Sequence, residues 1–497
     1  MASDEGWDSR PAKPANPPQA ERPRPARVSI LSKLCVGLLL LIPTILRAQG
    51  QDDPKELLLQ LRQNVMETVK RLPRYVCTQT VDRFRYEPRN PEYATTNKPR
   101  SCDEAIAIAN RHGSRSLSSS DRLRLDVAVG PDVAGMDGEM YSWAGEDRFS
   151  ERNLFEFVRD GAISTGSFSS MLASIFGGET ARFSYNGDSY IGGKLLSEFG
   201  FAIPQEKSHY MYVLRNGPNG EAAVAYDGKI FVDPETSDLV QLVVRTVQLP
   251  SETGACELTQ VLDYGRVRLN GTDFLLPTEA RASLIHADGT QAENRIEYFA
   301  CHEFRGESKV RFSAPGDGEG SATGRDALPP AFELPPGLPF KVAFTDRIDP
   351  ATAAAGDSIK AKLKTPIRDA SNKVVVPEGT PIRARILKIR RFYEVSRSAE
   401  PGGRNTAGQQ PALVVDVKLE ALDFGGTSHP IKAAFDSGRR RFVKQNGPLE
   451  RRVEIGSLDR AADPHADREI GTFEFWETNP DYAVKSGFES GWVTSAP

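Results

Sequence analysis

The residues best suited to chemistry are scattered along the chain. A metal site or a nucleophile–base pair needs histidine, cysteine, acidic or hydroxyl side chains at recurring spacings. None of the six histidines is spaced as a metal ligand: His112, His209, His286, His302, His429 and His465. The segment Gly187-Asp188-Ser189-Tyr190-Ile191 lacks the second glycine of a nucleophile elbow. We therefore predict no catalytic residues, no metal and no cofactor, and expect a protein that is not an enzyme.

The cysteines are the other residues with reactive side chains. Cys35 lies in an apolar run near the N-terminus, and four more follow it: Cys77, Cys102, Cys256 and Cys301. An even number of cysteines in an exported chain indicates disulfides. Buried free thiols are the alternative, since this number is close to ordinary usage for a chain of 497 residues. None of the spacings is that of a metal site.

A run of antiparallel strands between Val224 and Phe312 organises the chain. Asp227-Gly228, Asn270-Gly271 and Asp288-Gly289 each separate segments of alternating apolar and polar residues, which is the strongest local pattern for a hairpin. The segments between them are long for strands. Long antiparallel strands bury one face by curling or by packing under helices. The sequence therefore predicts a mainly β fold: a curved antiparallel half-barrel with a few covering helices, followed by a second small β-domain.

These hairpins limit which cysteines can pair. If the last two turns hold two residues each, Ala287 pairs with Thr290, Cys256 lies opposite Ile285, and Cys301 lies opposite Leu276. These two points on the shared middle strand are roughly 30 Å apart. A disulfide tolerates less than about 7 Å between Cα atoms. We therefore expect no bond between these two cysteines. The favoured pair is Cys77 with Cys301, across a first strand antiparallel to the last, which leaves Cys102 for Cys256 or free.

Three helices are predicted among the strands, one of them at Glu151–Val158, and the other two carry the apolar stripes that matter here. Asp53-Pro54 begins the first, whose apolar residues form one stripe: Leu57, Leu61, Val65 and Val69. The second spans residues 167–176, before Gly177-Gly178, and carries four apolar side chains on one side: Phe168, Met171, Leu172 and Ile175. These four are the candidate cover of an apolar ligand cavity inside the sheet. The alternative is a helical layer that closes the hydrophobic core.

The N-terminus predicts export. Residues 1–33 are rich in proline and basic residues, so we expect a disordered leader. Leu34–Leu46 is apolar but shorter than the roughly 20 residues of a membrane-spanning helix, and Ala48 provides a small residue for signal cleavage. We predict a signal peptide and a location in the periplasm or cell envelope, with membrane contact only through this segment. An uncleaved anchor and a start codon assigned too far upstream are the alternatives.

Composition divides the remaining chain. Residues 1–48 form the leader and signal peptide, and residues 49–314 form a half-barrel-like α+β domain. Residues 315–337 are dense in Gly, Pro, Asp and Ser and form a linker. Residues 338–497 form a C-terminal β-barrel or sandwich domain, with a disordered loop at 396–410. The formal net charge of −4 gives no reason to expect nucleic acid as a partner.

Two stretches of the first domain carry a resemblance to a known family. They are Asp227–Thr236 and Phe274–Glu279, the latter followed by the Asp288-Gly289 turn. Together with the leading helix, they resemble the half-barrel carriers of the Lol lipoprotein-sorting type. The resemblance implies a protein that holds lipid or lipoprotein acyl chains in the concave face of its sheet and is not an enzyme. A long polar insertion at Glu87–Ser120 departs from that pattern.

The C-terminal part carries a second resemblance. Leu338-Pro339-Phe340, Ala355–Ser358 and Val376–Thr380 each precede or begin a predicted strand. They resemble the C-terminal β-barrel of TrbI-like envelope proteins from conjugation machinery. Together the two resemblances imply a bacterial envelope protein. We predict an exported, non-enzymatic protein with a structural or protein-interaction role, whose partners are envelope proteins. The alternative is a periplasmic carrier of lipid or lipoprotein acyl chains.

Overall fold

The computed structural model describes most of the chain after the N-terminus. The described residues are 53–89, 101–303 apart from gaps at 112, 131–137, 214–220 and 248 and within 147–167, then 333–393, 413–436, 469–475 and 482–495. The predicted leader and signal peptide at 1–48 and the loop at 396–410 lie outside these residues. The linker predicted at 315–337 lies mostly outside them, so the domain boundary stays a prediction.

The described residues form three helices and a large amount of antiparallel sheet. The helices are α1 (Pro54–Arg71), α2 (Cys102–Ala109) and α3 (Ser169–Phe176). The strands before residue 304 are β1 (Tyr75–Pro88), β2 (Arg115–Val129), β3 (Glu139–Trp143), β4 (Arg182–Ile191), β5 (Lys194–Ile203), β6 (Met211–Val213), β7 (Glu221–Ala223), β8 (Ala225–Val232), β9 (Leu239–Val247), β10 (Ala255–Leu269), β11 (Thr272–His286) and β12 (Gln291–Glu303). The strands after it are β13 (Pro339–Phe344), β14 (Ser358–Leu363), β15 (Ile367–Arg368), β16 (Val374–Val376), β17 (Pro381–Phe392), β18 (Leu413–Phe424), β19 (Thr427–Pro430), β20 (Ala433–Phe435), β21 (Ile470–Phe475) and β22 (Glu489–Thr494).

The first group of strands forms the curved half-barrel that the sequence predicts. Neighbouring strands are antiparallel and run in the order β4, β5, β8, β9, β10, β11, β12, β1, β2, β3. The sheet is not closed into a barrel. Strand β1 lies between β12 and β2, so the first strand is antiparallel to the last one, as expected. Alternate side chains of these strands form one apolar face.

Helices α1 and α3 cover that face. Asp53 caps α1, because its Oδ1 accepts a hydrogen bond from the backbone N of Lys55 at 3.0 Å, and Pro54 occupies the first turn. The predicted stripe is confirmed in Leu57, Leu61 and Val65, which are buried against the sheet. Helix α3 buries Met171, Leu172, Ile175 and Phe176 along one side, in the same core as the apolar face of the sheet.

One predicted turn is wrong and another has a different length. Asp227-Gly228 lies inside β8, which is paired on both sides, so it is not a turn. Asn270-Gly271 is confirmed as a two-residue turn, with φ of 47° and 87° and Leu269 opposite Thr272. At Asp288-Gly289 the backbone N of His286 donates to the O of Thr290 at 2.9 Å. The loop therefore holds three residues, and the predicted pairing of Ala287 with Thr290 is wrong by one position.

The second group of strands surrounds its own core. Strand β17 lies between β14 and β18, while β13 pairs with both β14 and β22. Trp492 is fully buried at the centre, and its ring lies 5.3 Å from that of Phe435. The rings of Phe344, Phe473 and Phe488 pack against one another in the same core. This is the second small β-domain expected from the sequence.

The two sheets are joined edge to edge. Residues 119–121 of β2 pair with residues 390–392 of β17 in an antiparallel ladder. Next to it, Leu123 and Ala355 form a parallel bridge, in which the N of Arg124 donates to the O of Ala355 at 2.7 Å. The backbone hydrogen bonds of the half-barrel therefore continue into the C-terminal strands.

Candidate ligand site beneath the helix layer

The four predicted cover residues lie together at α3, which with α1 forms the helix layer over the sheet. Phe168 precedes α3, and Met171, Leu172 and Ile175 lie on it, all buried in the same core as the apolar face of the half-barrel. The structure thus brings these side chains together and places them over the sheet. Whether they cover a ligand or close the core is decided by binding, and the ligand role stays a prediction.

Phe168 lies at the centre of an aromatic cluster. Its ring meets that of Tyr75, at the start of β1, edge to face at 5.9 Å, and that of Tyr298, on β12, at 5.0 Å. Tyr264 on β10 faces the same core. The neighbouring strands β1 and β12 therefore direct tyrosines toward the residue that precedes the covering helix.

Two of these tyrosines have a buried hydroxyl group that makes no hydrogen bond within the described residues. Tyr75 and Tyr264 are 0% and 8% exposed, and among the residues that the structure describes neither hydroxyl has a hydrogen-bond partner. Burial raises the pKa of both phenols well above the usual value, and the charge of Glu139 and the neighbouring tyrosines raises that of Tyr75 further. Both groups are therefore neutral donors in an apolar setting.

A buried acid lies close to this cluster. Glu139 begins β3 and is 3% exposed, and the hydroxyl of Tyr141 donates to its Oε2. Its negative charge is what raises the pKa of Tyr75 after burial itself. The interior of the half-barrel is therefore apolar along most of its length, with a small polar region where β1, β3, β10 and β12 direct their side chains inward.

Sequence reasoning did not single out these tyrosines. The register between β10 and β11 shifts by one residue between Asp263 and Tyr264, so that Tyr264 lies opposite Pro277. A β-bulge changes the direction in which the following side chains point, and proline cannot donate to the ladder. Pro277 in the middle of a predicted strand was the available signal, because it marks a bulge or an edge.

Polar side chains fasten the helices to one another and to the sheet. The Nη2 of Arg62 on α1 donates to the backbone O of Phe176 at 3.3 Å and to that of Gly178 at 3.0 Å, just past the end of α3. Asn64 donates to the backbone O of Ser237 at 3.4 Å, and the Ser237 hydroxyl donates to Gln60 at 2.9 Å. These contacts join α1 to α3 on one side and to the β8–β9 turn on the other.

An open cleft of about 220 Å³ lies between α1 and the turn that joins β10 to β11. Val65 and Leu239, both buried core residues, form part of its lining. Arg266 also lines it and donates to the Asp238 carboxylate through Nη2 at 2.7 Å and through Nε at 3.0 Å. The other lining side chains are mixed in polarity: Asn64, Glu67, Thr68, Arg71, Ser237, Thr272, Asp273, Phe274 and Leu275.

Disulfides hold both the start of β1 and helix α2. Cys77 is bonded to Cys301 with an S–S distance of 1.99 Å, and Cys102 to Cys256 with one of 2.05 Å. This pairing agrees with the one that strand geometry favoured. Cys256 lies at an irregularity in the ladder, since its neighbours face His286 and Ile285 in turn, so its predicted place opposite Ile285 is wrong.

The other residues considered for chemistry lie apart from one another. In the part of the chain that the structure describes, no group of His, Cys, Asp and Glu is arranged to hold a metal ion. His112 and His465 lie outside the described residues. Ser189, from the segment examined for a nucleophile elbow, donates to Glu198 at 2.8 Å. Burial alone would raise the pKa of Glu198, but hydrogen bonds from Ser189 and Lys229 outweigh burial and lower it.

No helix within the described residues is long and apolar enough to cross a membrane.

No protein-family model and no curated protein matches the sequence. Solved structures that are similar include a DUF1329 family protein from Desulfovibrio piger ATCC 29098, which is 9% identical, with 52% of this chain and 96% of that chain covered and a TM-score of 0.24. An outer membrane lipoprotein-sorting protein domain from Vibrio parahaemolyticus is 10% identical, with 50% of this chain and 94% of that chain covered and a TM-score of 0.24. The second belongs to the class that the first domain resembles in sequence pattern, but TM-scores this low support no inference about function. The TrbI-like resemblance of the C-terminal part stays a prediction.

Proposed function

We propose that this chain is an exported, non-enzymatic envelope protein that holds an apolar chain, of the lipid or lipoprotein acyl type, between its helix layer and the apolar face of its half-barrel. The observation that carries the proposal is the open cleft next to α1, because buried core residues Val65 and Leu239 form part of its lining. An acyl chain that enters there meets apolar side chains directly.

The size of the cleft implies that the helices move on binding. Ligand pockets measure roughly 300–1,000 Å³, whereas this cleft measures about 220 Å³. The hydrogen bonds of Arg62, Asn64 and Gln60 hold the helix layer at its margins, and each such bond contributes only about 0.5–1.5 kcal/mol. An acyl chain inserted under α1 or α3 would bury again the apolar surface that the helix uncovers.

The two disulfides support export. Disulfides persist in oxidising compartments and are rare in the cytosol, and the two bonds join residues 224 and 154 positions apart. With the predicted signal peptide, they support the proposal of a location in the periplasm or cell envelope.

Filling the cleft tests the proposal. Thr68 lines the cleft from α1, whereas Leu59 on the same helix is 58% exposed to solvent. Thr68→Trp should weaken binding of a fluorescent fatty acyl probe by tenfold or more, and the matched control Leu59→Trp should leave it unchanged. A wild-type protein that binds no acyl probe, or equal binding by both variants, would contradict the proposal.

A protein-interaction role is the second candidate, and the β4–β5 hairpin favours it. Within the described residues β4 pairs with β5 alone, which leaves its other edge unpaired. Tyr190 is 77% exposed, and its cross-strand neighbour Leu195 is 44% exposed. An extended strand of another envelope protein could add to this edge. Replacing both residues by serine should then remove a specific cross-linked species in intact cells, and an unchanged cross-linking pattern would exclude this edge.

A further inference from the structure

We propose that Tyr75 and Tyr264 form a subsite that donates hydrogen bonds to the carbonyl oxygen of an acyl ester or amide. The inference rests on the proposed function, because it names the polar group that accompanies the apolar chain. The two hydroxyls are buried in the core between the half-barrel and α3, and neither has a hydrogen-bond partner in the described part of the chain.

The geometry singles out these hydroxyls among the buried tyrosines. The hydroxyl of Tyr226 bonds Ser174 at 2.9 Å, and that of Tyr141 donates to Glu139. Buried polar groups are nearly always hydrogen-bonded, and an unpaired one calls for an explanation. A core that needed only bulk at these positions would be more stable with phenylalanine, which has the same ring and no polar atom to desolvate.

The surroundings select the chemistry of the ligand. Both phenols are buried and therefore stay protonated, so each offers a donor, and a ligand must supply an acceptor. The buried carboxylate of Glu139 lies near Tyr75 and disfavours a second negative charge. A neutral carbonyl flanked by an apolar chain fits both conditions. An ester or amide of a fatty acid has this structure, whereas a free fatty acid carries a charge.

Phe168 places the subsite next to the covering helix. The centroid of its ring lies 5.9 Å from that of Tyr75, and Phe168 is the residue that directly precedes α3. A carbonyl bound by the two hydroxyls would therefore lie under the N-terminal end of α3, with its chain extending along the face that Met171, Leu172 and Ile175 cover. The two tyrosines and the predicted cover residues belong to the same buried core.

Two probes of equal length test the inference. One is a fluorescent polyene fatty acid methyl ester, and the other is the polyene hydrocarbon, which lacks the carbonyl. The variants are Tyr75→Phe, Tyr264→Phe and their combination, in the full chain, with exposed Tyr190→Phe as the control. Each hydroxyl removed from the subsite should weaken ester binding between about twofold and tenfold and leave hydrocarbon binding unchanged. The control should change neither.

The outcomes separate the inference from the proposed function. If the wild type binds both probes but the double variant loses no ester affinity, the subsite is wrong while the carrier function survives. If the wild type binds neither probe, both are overturned. In case a variant does not fold, the wild type labelled with ¹³Cζ-tyrosine gives a second measurement. Two tyrosine signals should shift with the ester and not with the hydrocarbon, and equal shifts with both would overturn the subsite.

Competition identifies the source of the carbonyl. A diacyl phospholipid and a triacylated cysteine peptide both carry acyl carbonyls, so either should displace the bound ester probe from the wild type. Displacement by the peptide at a lower concentration than by the phospholipid indicates a lipoprotein ligand, and the reverse order indicates a lipid ligand. Failure of both to displace the ester would overturn recognition of an acyl carbonyl.

Discussion

Asp121 on β2 lies directly opposite Arg390 on β17, and the Arg390 guanidinium donates to its Oδ2 through Nη2 at 2.7 Å and Nε at 3.2 Å. On the other side of Asp121, Arg83 of β1 donates to both carboxylate oxygens, at 2.5 and 2.9 Å. One buried carboxylate thus links two strands of the half-barrel to the C-terminal sheet. The ion triad therefore reinforces the edge pairing of β2 with β17.

Removing this carboxylate should be costly. The side chains of Asp121 and Arg83 are 7% and 8% exposed, so Asp121→Asn leaves buried guanidinium charges without their partner. We expect a loss of about 3–5 kcal/mol in the free energy of unfolding, measured by denaturant titration. Asp227→Asn is the matched control, because Asp227 pairs with the half-exposed Arg245 and should cost about 1 kcal/mol or less. Equal losses in the two variants would contradict the role of the triad.

The same junction changes what proteolysis should show. The predicted linker at 315–337 should be cut first by a protease, because few contacts cross such a sequence. The two fragments should nevertheless stay together on gel filtration, since the ladder between β2 and β17 and the bond between Arg124 and Asp357 are independent of the linker. Separation of the fragments in native buffer, or first cleavage inside the half-barrel, would be inconsistent with this arrangement.

Reduction should destabilise the half-barrel through its unfolded state. The bonds Cys77–Cys301 and Cys102–Cys256 close loops of 224 and 154 residues, for which chain entropy predicts roughly 5 kcal/mol each. Because the entropy depends only weakly on loop length, replacing either pair by alanine should lower the unfolding midpoint by a similar amount. Non-reducing peptide mapping checks the pairing itself, and a peptide that joins Cys256 to Cys301 would refute it.

The stability of the fold should depend on pH through His286. Burial lowers the pKa of this imidazole and Arg85 lowers it further, against the opposing effect of Asp288. The unfolded state, with a pKa of about 6.5, therefore binds the proton first as the pH falls. Stability should decrease from about pH 7.5 through 6.5 and level off below the folded pKa, with a slope of at most about 1.4 kcal/mol per pH unit. His286→Gln should flatten this part of the curve, and an unchanged curve would argue against a role for His286.

Local sequence patterns predict the local parts of this structure well. The Asp53 cap, the stripe on α1 and the Asn270-Gly271 turn each depend on a few adjacent residues whose preferences agree with the fold. The Cys77–Cys301 bond also followed from strand geometry, although one turn was a residue too short. The edge pairing of Asp121 with Arg390 had no local signal, because it joins residues 269 positions apart. Tyr264 was missed because its direction depends on an irregular ladder pairing.

Gly228 shows why an Asp-Gly pair can mislead. The pair suggests a hairpin turn because glycine adopts positive φ freely, yet here glycine is needed for space inside β8. A Cβ on Gly228 would lie 1.8 Å from the backbone O of Val243 and 2.7 Å from the ring of Phe201. Strands β8 and β9 therefore approach each other more closely at this point than any side chain permits.

Gly228→Ala should consequently disrupt the centre of the half-barrel. The contact with Val243 involves backbone on a paired strand, which cannot move without breaking the ladder, so we expect a loss of about 3 kcal/mol or more in the free energy of unfolding. Gly271→Ala is the matched control: its φ of 87° carries strain but no atom lies within 4 Å of the new Cβ, so about 1 kcal/mol should be lost. Denaturant midpoints of the two variants measure the difference. A smaller loss at Gly228 than at Gly271 would mean that β8 and β9 can separate there, and would favour the turn that the Asp-Gly pair suggests.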